Sequence, residues 1–182
     1  VKVISIVGVS AVAVGIYLCS TGNASATHVQ CDSDGAQRDI TVIAGGTGCR
    51  AAVDDSGHAR AAGYDGVGFA RAGGGAIALG LGVSGGIGAS VGTAGMPIAV
   101  GVGPQSYAFT SLRGAGGPGV SFAVNGSLAQ VISDTHTVTC LGPGALAWDS
   151  RSGKGCLATP VGLWRTAAPT DRTPKPDPGR LG

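Results

Sequence analysis

Ala76-Ile77-Ala78-Leu79-Gly80-Leu81-Gly82-Val83 alternates small and large side chains without a break. Pro97-Ile98-Ala99-Val100-Gly101-Val102 and Val120-Ser121-Phe122-Ala123-Val124 repeat the alternation further along. Neighbouring side chains of an extended chain point to opposite faces, so a period of two reads as strand. Ile, Leu, Val and Phe would occupy one face, with Ala, Gly and Ser on the other. Outward from this stretch, apolar segments begin at Val67, Ile77, Ile87, Ile98, Tyr107, Val120 and Leu128, about ten residues apart. The spacers Ala72-Gly73-Gly74-Gly75, Gly85-Gly86 and Gly114-Ala115-Gly116-Gly117-Pro118-Gly119 are turn-formers that tolerate positive φ. An all-β fold follows.

Two architectures satisfy this pattern. One is a β-solenoid, or β-roll, with two short strands in each coil of about twenty residues. The alternative is an antiparallel β meander or barrel, whose solvent face would ordinarily carry Thr, Lys and Glu. Between Asp65 and Asp134 the chain has no acid at all, and its only basic residues there are Arg71 and Arg113. The small, uncharged second face favours the solenoid. In that reading Ile77, Leu79, Ile98, Val100 and Phe122 form one inner row, while Ala78 and Ala99 meet solvent.

Composition agrees with a β fold and narrows the class. Of 182 residues 35 are Gly, only 12% are charged, and Glu is absent, which disfavours a helical bundle. A hydrophobic share of 43% with net charge +2 argues against general disorder, and no every-third glycine suggests collagen. The few, scattered arginines make no nucleic-acid footprint.

The N-terminus reads as an address. Val1-Lys2 precedes an uncharged run from Val3 to Leu18, and Asn23-Ala24-Ser25-Ala26 ends it in an A-x-A site. Those are the three parts of a secretory signal peptide over residues 1–26. The run is short for a membrane span and lacks a following basic stop, so no span is expected after cleavage. A Gly-rich β domain over 27–164 would remain, with its repeat core at about 57–132 and a C-terminal β cap at about 136–160. Four prolines from Arg165 onward suggest a disordered tail over 165–182. The surplus of Ala, Gly, Val and Arg over Lys suggests a high-GC, Gram-positive-type bacterium as the source.

Export leaves Cys31, Cys49, Cys140 and Cys156, which allow three pairings. Two short local loops, Cys31–Cys49 and Cys140–Cys156, are the economical pairing in an oxidising compartment, and they would staple the two ends of the repeat. A zinc site would need C-x-x-C or H-x-x-x-H spacing, and His28, His58 and His136 offer none. No metal and no cofactor is expected.

Two resemblances rest on particular residues. Ala76-Ile77-Ala78-Leu79-Gly80 and Pro97-Ile98-Ala99-Val100-Gly101 resemble the SVAIG-type strands in the heads of trimeric autotransporter adhesins, which implies a β-roll over the central repeat. The wider plan resembles a family of uncharacterised exported actinobacterial proteins. Its signal peptide, early Cys pair, Gly/Ala-rich centre and late Gly155-Cys156-Leu157 carry that likeness, which implies no activity.

Apparent catalytic motifs fare poorly in context. Gly80-Leu81-Gly82-Val83-Ser84-Gly85 fits G-x-G-x-x-G, but a dinucleotide site then needs a helix and an acid about twenty residues on, and neither follows. Gly82-Val83-Ser84-Gly85-Gly86 and Gly88-Ala89-Ser90-Val91-Gly92 fit the G-x-S-x-G nucleophile elbow. A small secreted serine hydrolase would take Ser84 or Ser90 as nucleophile, His136 as base and Asp134 to orient it. That elbow should lead into a helix, whereas both here lead into more glycine. The expectation is therefore a non-enzymatic protein of the envelope or medium with structural or interaction duties. Its partner would be an envelope or extracellular molecule, or further copies of itself, and the hydrolase is the alternative. Intact-mass measurement of the exported protein should give a chain beginning at Thr27; a full-length species persisting outside the cell would contradict the leader reading.

Overall fold

The computed structural model describes residues 27–114 and 116–166. The expected leader and nearly all of the expected tail therefore lie outside the described residues. The chain opens with β1 (His28–Ser33), β2 (Asp39–Ala44), β3 (Thr47–Val53) and β4 (Gly57–Tyr64). Its centre is β5 (Val67–Ala72), β6 (Ala76–Val83), β7 (Ile87–Gly92), β8 (Met96–Val102), β9 (Tyr107–Ser111), β10 (Pro118–Val124) and β11 (Leu128–Ile132). A short 3-10 turn at Ser133–Thr135 leads to β12 (Thr137–Leu141), β13 (Ala145–Asp149), β14 (Gly155–Thr159) and β15 (Gly162–Arg165). Each of the seven apolar segments read from the sequence is a strand.

These strands wind into a β-solenoid. One sheet has the order β1-β4-β6-β8-β10-β13-β14-β15, and the other β12-β11-β9-β7-β5-β3-β2. Within each, the central strands are parallel and alternate between sheets along the chain: β3 to β4, β5 to β6, β7 to β8 and β9 to β10 are the coils. Val67 pairs with Ile87 and Ile87 with Tyr107, so a coil advances twenty residues there. A parallel stack leaves unpaired strand edges at both ends. Antiparallel strands close them: β1 and β2 cover β4 and β3, while β12 covers β11 and β13–β15 extend from β10.

The interior reverses the expected facing. Ala76 and Ala78 are fully buried on β6, whereas Ile77 between them is 48% exposed. Ala99, Ala108, Ala123 and Ala129 are likewise sealed, and Phe122 faces outward. Ile77, Leu79, Ile98, Val100 and Phe122 thus do not form an inner row, and Ala78 and Ala99 do not meet solvent. The reason is the distance between sheets. A Cβ built on Gly80 would run into the Phe69 carbonyl oxygen of the opposite sheet, and one on Gly88 into that of Leu81. Backbones this close have no room for a branched side chain between them, so the small row turns inward and the large row turns out.

Disulfides mark the same spacing. Cys31 and Cys49 stand at disulfide distance, 2.07 Å between sulfurs, as do Cys140 and Cys156 at 2.03 Å. Each pair joins one sheet to the other, β1 to β3 and β12 to β14, with Cα atoms 5.8 and 5.9 Å apart. Ordinary face-to-face sheets lie about 10 Å apart. Because each bridge closes a short loop of chain, each should contribute on the order of 3 kcal/mol.

Local details of the cap differ from the sequence reading. The cap, expected from about residue 136, has its first strand from Thr137, and His136 before it has φ of 50° after the 3-10 turn. Arg165 belongs to β15 rather than to the tail, because β15 pairs with β14 and brings Arg165 opposite Cys156. The inverted interior has a measurable signature. Ala78→Leu should destabilise the fold by about 3 kcal/mol through overpacking, whereas Ile77→Thr should cost about 0.5 kcal/mol as a surface change. Urea unfolding compares the two, and an equal or reversed cost would contradict the inverted core.

Candidate functional site

The proposed nucleophiles sit in unlike places. Ser84 is exposed in the turn between β6 and β7, with φ of 49°. Asp65, Gln105 and Asn125 adopt the same left-handed conformation at the matching turn of neighbouring coils, with φ of 48°, 56° and 50°. The Ser84 backbone is therefore the ordinary turn of this coil. Its amide donates to the Tyr64 carbonyl at 2.8 Å, as the Asn125 amide does to Val102 at 3.0 Å. Ser90 is fully buried in β7, and its hydroxyl donates to the Pro97 carbonyl at 2.8 Å.

The other two members of the proposed triad are not brought to either serine. Asp134 and His136 are exposed around the 3-10 turn that leads into β12. The carboxylate near His136 is that of Asp149, whose Oδ2 lies 3.9 Å from Nδ1. Asp149 is fully buried and accepts from the Ser133 hydroxyl at 3.2 Å, the Ser152 hydroxyl at 2.6 Å and the Arg151 amide at 3.2 Å. It ties the 3-10 turn to the β13–β14 turn and so holds the cap together. In the sequence Asp149 is one carboxylate among several with no recognisable motif around it; only its place two residues past the inward-facing Ala147, on the same face of β13, marks it.

The hydroxyls inside the solenoid reach backbone carbonyls. Ser121 donates to the Phe109 carbonyl at 2.7 Å and Thr110 toward that of Ile98 at 2.9 Å, so these hydroxyls link one sheet to the other. Among the described residues no buried side-chain nitrogen or oxygen lacks a partner. Nor does any group of three or more His, Cys, Asp or Glu there have the makings of a metal site. None of the described helices is long and apolar enough to cross a membrane.

What remains is surface. On the β1–β15 sheet, register places Ala62, Leu81, Val100, Phe122, Leu146, Leu157 and Trp164 side by side on the outer face, one per strand. A parallel row runs Arg60, Leu79, Ile98, Val120 and Trp148. Over the last strands this face dips into an open depression of about 550 Å³ walled by Val120, Leu146, Trp148, Leu157 and Trp164, with Arg165 and Thr166 also lining it. The β2–β12 sheet presents Val67, Ile87, Tyr107 and Leu128 in one row and Phe69, Ala89, Phe109 and Gln130 in the next.

Ion pairs gather near the N-terminal end of both faces: Arg60 with Asp32 on the first sheet, Arg50 with Asp39 (2.7 Å) and Arg71 with Asp54 (2.7 Å) on the second. Their hydrogen bond lowers the Asp39 carboxyl below its ordinary range and raises the Arg50 guanidinium, keeping both ionised. All are solvated, so they add little stability and serve to mark where the apolar part of each face stops.

Fold and surface together define a disulfide-braced, two-sheet β-solenoid with apolar outer faces. Residues 1–159 match the model of a family of unknown function, DUF6764, and the chain belongs to that family. Among curated proteins no match is found, and none among solved structures. The cap carries the sharpest local test. Asp149→Ala strands the buried Ser133 hydroxyl and the half-buried Ser152 hydroxyl and should cost about 2–3 kcal/mol in urea unfolding, while Asp134→Ala should leave stability unchanged.

Proposed function

We propose that this is an exported protein, secreted or held at the cell envelope of a high-GC Gram-positive-type bacterium, whose role is structural or interactive and not enzymatic. The observation that carries this reading is the pair of apolar outer faces. A soluble chain ordinarily keeps its large apolar residues inside, and extended exposed patches mark interaction sites. Here the interior is filled with Ala, Gly and Ser, and the groups with the greatest capacity to bind are turned out.

Two further features support export. The N-terminal run with its A-x-A site has the form of a leader. Both cysteine pairs stand at disulfide distance, as chains made for an oxidising compartment have them. The hydrolase alternative draws no support from geometry, since Ser90 is sealed in the core and Ser84 shares its turn with residues that have no hydroxyl.

Cell fractionation and a fluorophosphonate probe test the proposal together. The protein should appear in the medium or envelope fraction, and the probe should give no labelling that depends on Ser84 or Ser90. Cytoplasmic retention would contradict export, and labelling lost in Ser84→Ala or Ser90→Ala would restore the hydrolase.

A further inference from the structure

We propose that the outer face of the β1–β15 sheet, from β6 to β15, is a self-association surface that pairs with the same face of a second copy. The inference deepens the interaction reading above and rests on the chain being exported without its leader. Along β6, β8, β10, β13 and β14 the outward residues are apolar apart from Thr159 and none is charged, while Arg165 stands at the far edge on β15. Phe122, Leu146, Trp148, Leu157 and Trp164 are each between 39% and 51% exposed. The opposite face is less suited, because Arg50, Arg71, Gln130 and Thr139 are set among its apolar groups.

Area decides that a second copy suffices. Six strands at the usual spacing make the patch about 29 Å wide, and five or six residues make it about 18 Å long. That is roughly 500 Å² of flat sheet on each partner, or about 1,000 Å² across a pair before side-chain relief is counted, close to what a specific interface needs. A foreign partner would be selected by charges and hydrogen-bonding groups, and the centre of this face offers none. It is complementary to another flat apolar sheet, which every further copy supplies. The chain's own C-terminal segment is a poor cover: residues 167–182 hold four prolines and five charged residues, with Leu181 the sole large apolar side chain.

Symmetry fixes the mode of pairing. The two outer faces lie back to back on a thin plate, so placing one face on the opposite face of the next copy would stack plates without end. Pairing like with like closes after two copies and leaves the more polar face in water.

Analytical ultracentrifugation of the exported protein should give twice the mass of one chain. Leu81→Arg and Phe122→Arg should each return it to a single chain, while Ile87→Arg on the opposite face should leave the pair intact. Should the arginine variants fail to fold, as judged by circular dichroism and disulfide mapping, the unaltered protein carries the test. Hydroxyl-radical footprinting should then show Phe122 and Trp148 protected at high protein concentration and Tyr107 not. A single chain at all concentrations would overturn the proposal, as would a pair indifferent to Phe122→Arg or broken by Ile87→Arg. Masses growing without limit would mean face-to-opposite-face stacking instead. A single chain that floats with phosphatidylglycerol vesicles would assign the face to a lipid surface, and one that keeps residues 1–26 would assign it to the leader; either result sinks self-association. Export and interaction would survive a single-chain result, because fractionation reads them separately.

Discussion

The approach of two backbones to one another governs this structure. At Gly80 and Gly88 one sheet comes so near the carbonyls of the other that a single added carbon would collide with them. At the ends, paired cysteines span the gap with Cα atoms under 6 Å apart. A conventional sandwich separates its sheets by a layer of interlocking Leu, Ile and Phe. This one separates them by methyl groups and hydrogens. Every other property of the chain follows from fitting a sequence to that gap.

Stability must then come from sources other than apolar bulk. Burying an alanine removes little area from water, so a row of Ala contributes far less than the same row of Leu would. In its place stand continuous parallel ladders, which pair the backbone from coil to coil, and the inward hydroxyls of Ser90, Thr110 and Ser121 that reach the facing sheet. Larger buried side chains are few, Leu112, Val131, Thr110 and Pro97 among them. The two disulfides lie one at each end, where a stack that depends on neighbours has one neighbour fewer.

Much of this was legible in the sequence. Alternation in Ile77–Val83 gives strand, recurrence about every ten residues gives two strands in each coil, and cysteines near both ends give the pairing. The direction of facing was not legible from alternation alone, because period two is symmetric: shifting by one residue exchanges the faces and leaves the pattern unchanged. The usual rule that large apolar side chains go inside broke the symmetry the wrong way. A cue was present in glycine itself. Gly80, Gly82, Gly88 and Gly101 stand at inward positions of regular strands, where glycine is unfavourable unless another backbone comes close. Asp149 escaped for a different reason, since its partners Ser133 and Ser152 are local to separate turns and only the fold sets them together.

The same gap separates what the sequence must keep from what it can vary. Inward positions of the central strands hold Gly, Ala and Ser for the most part, with Pro97, Thr110 and Val131 the larger exceptions, so the inner rows can carry little information about a partner. Outward positions obey no such limit, and a solenoid of this kind could display Lys, Glu and Thr on both faces without disturbing one internal contact. On β6 and β8 it displays Ile, Leu and Val instead. The fold does not require that choice, and it is this freedom of the outward rows that the proposed interaction face draws on.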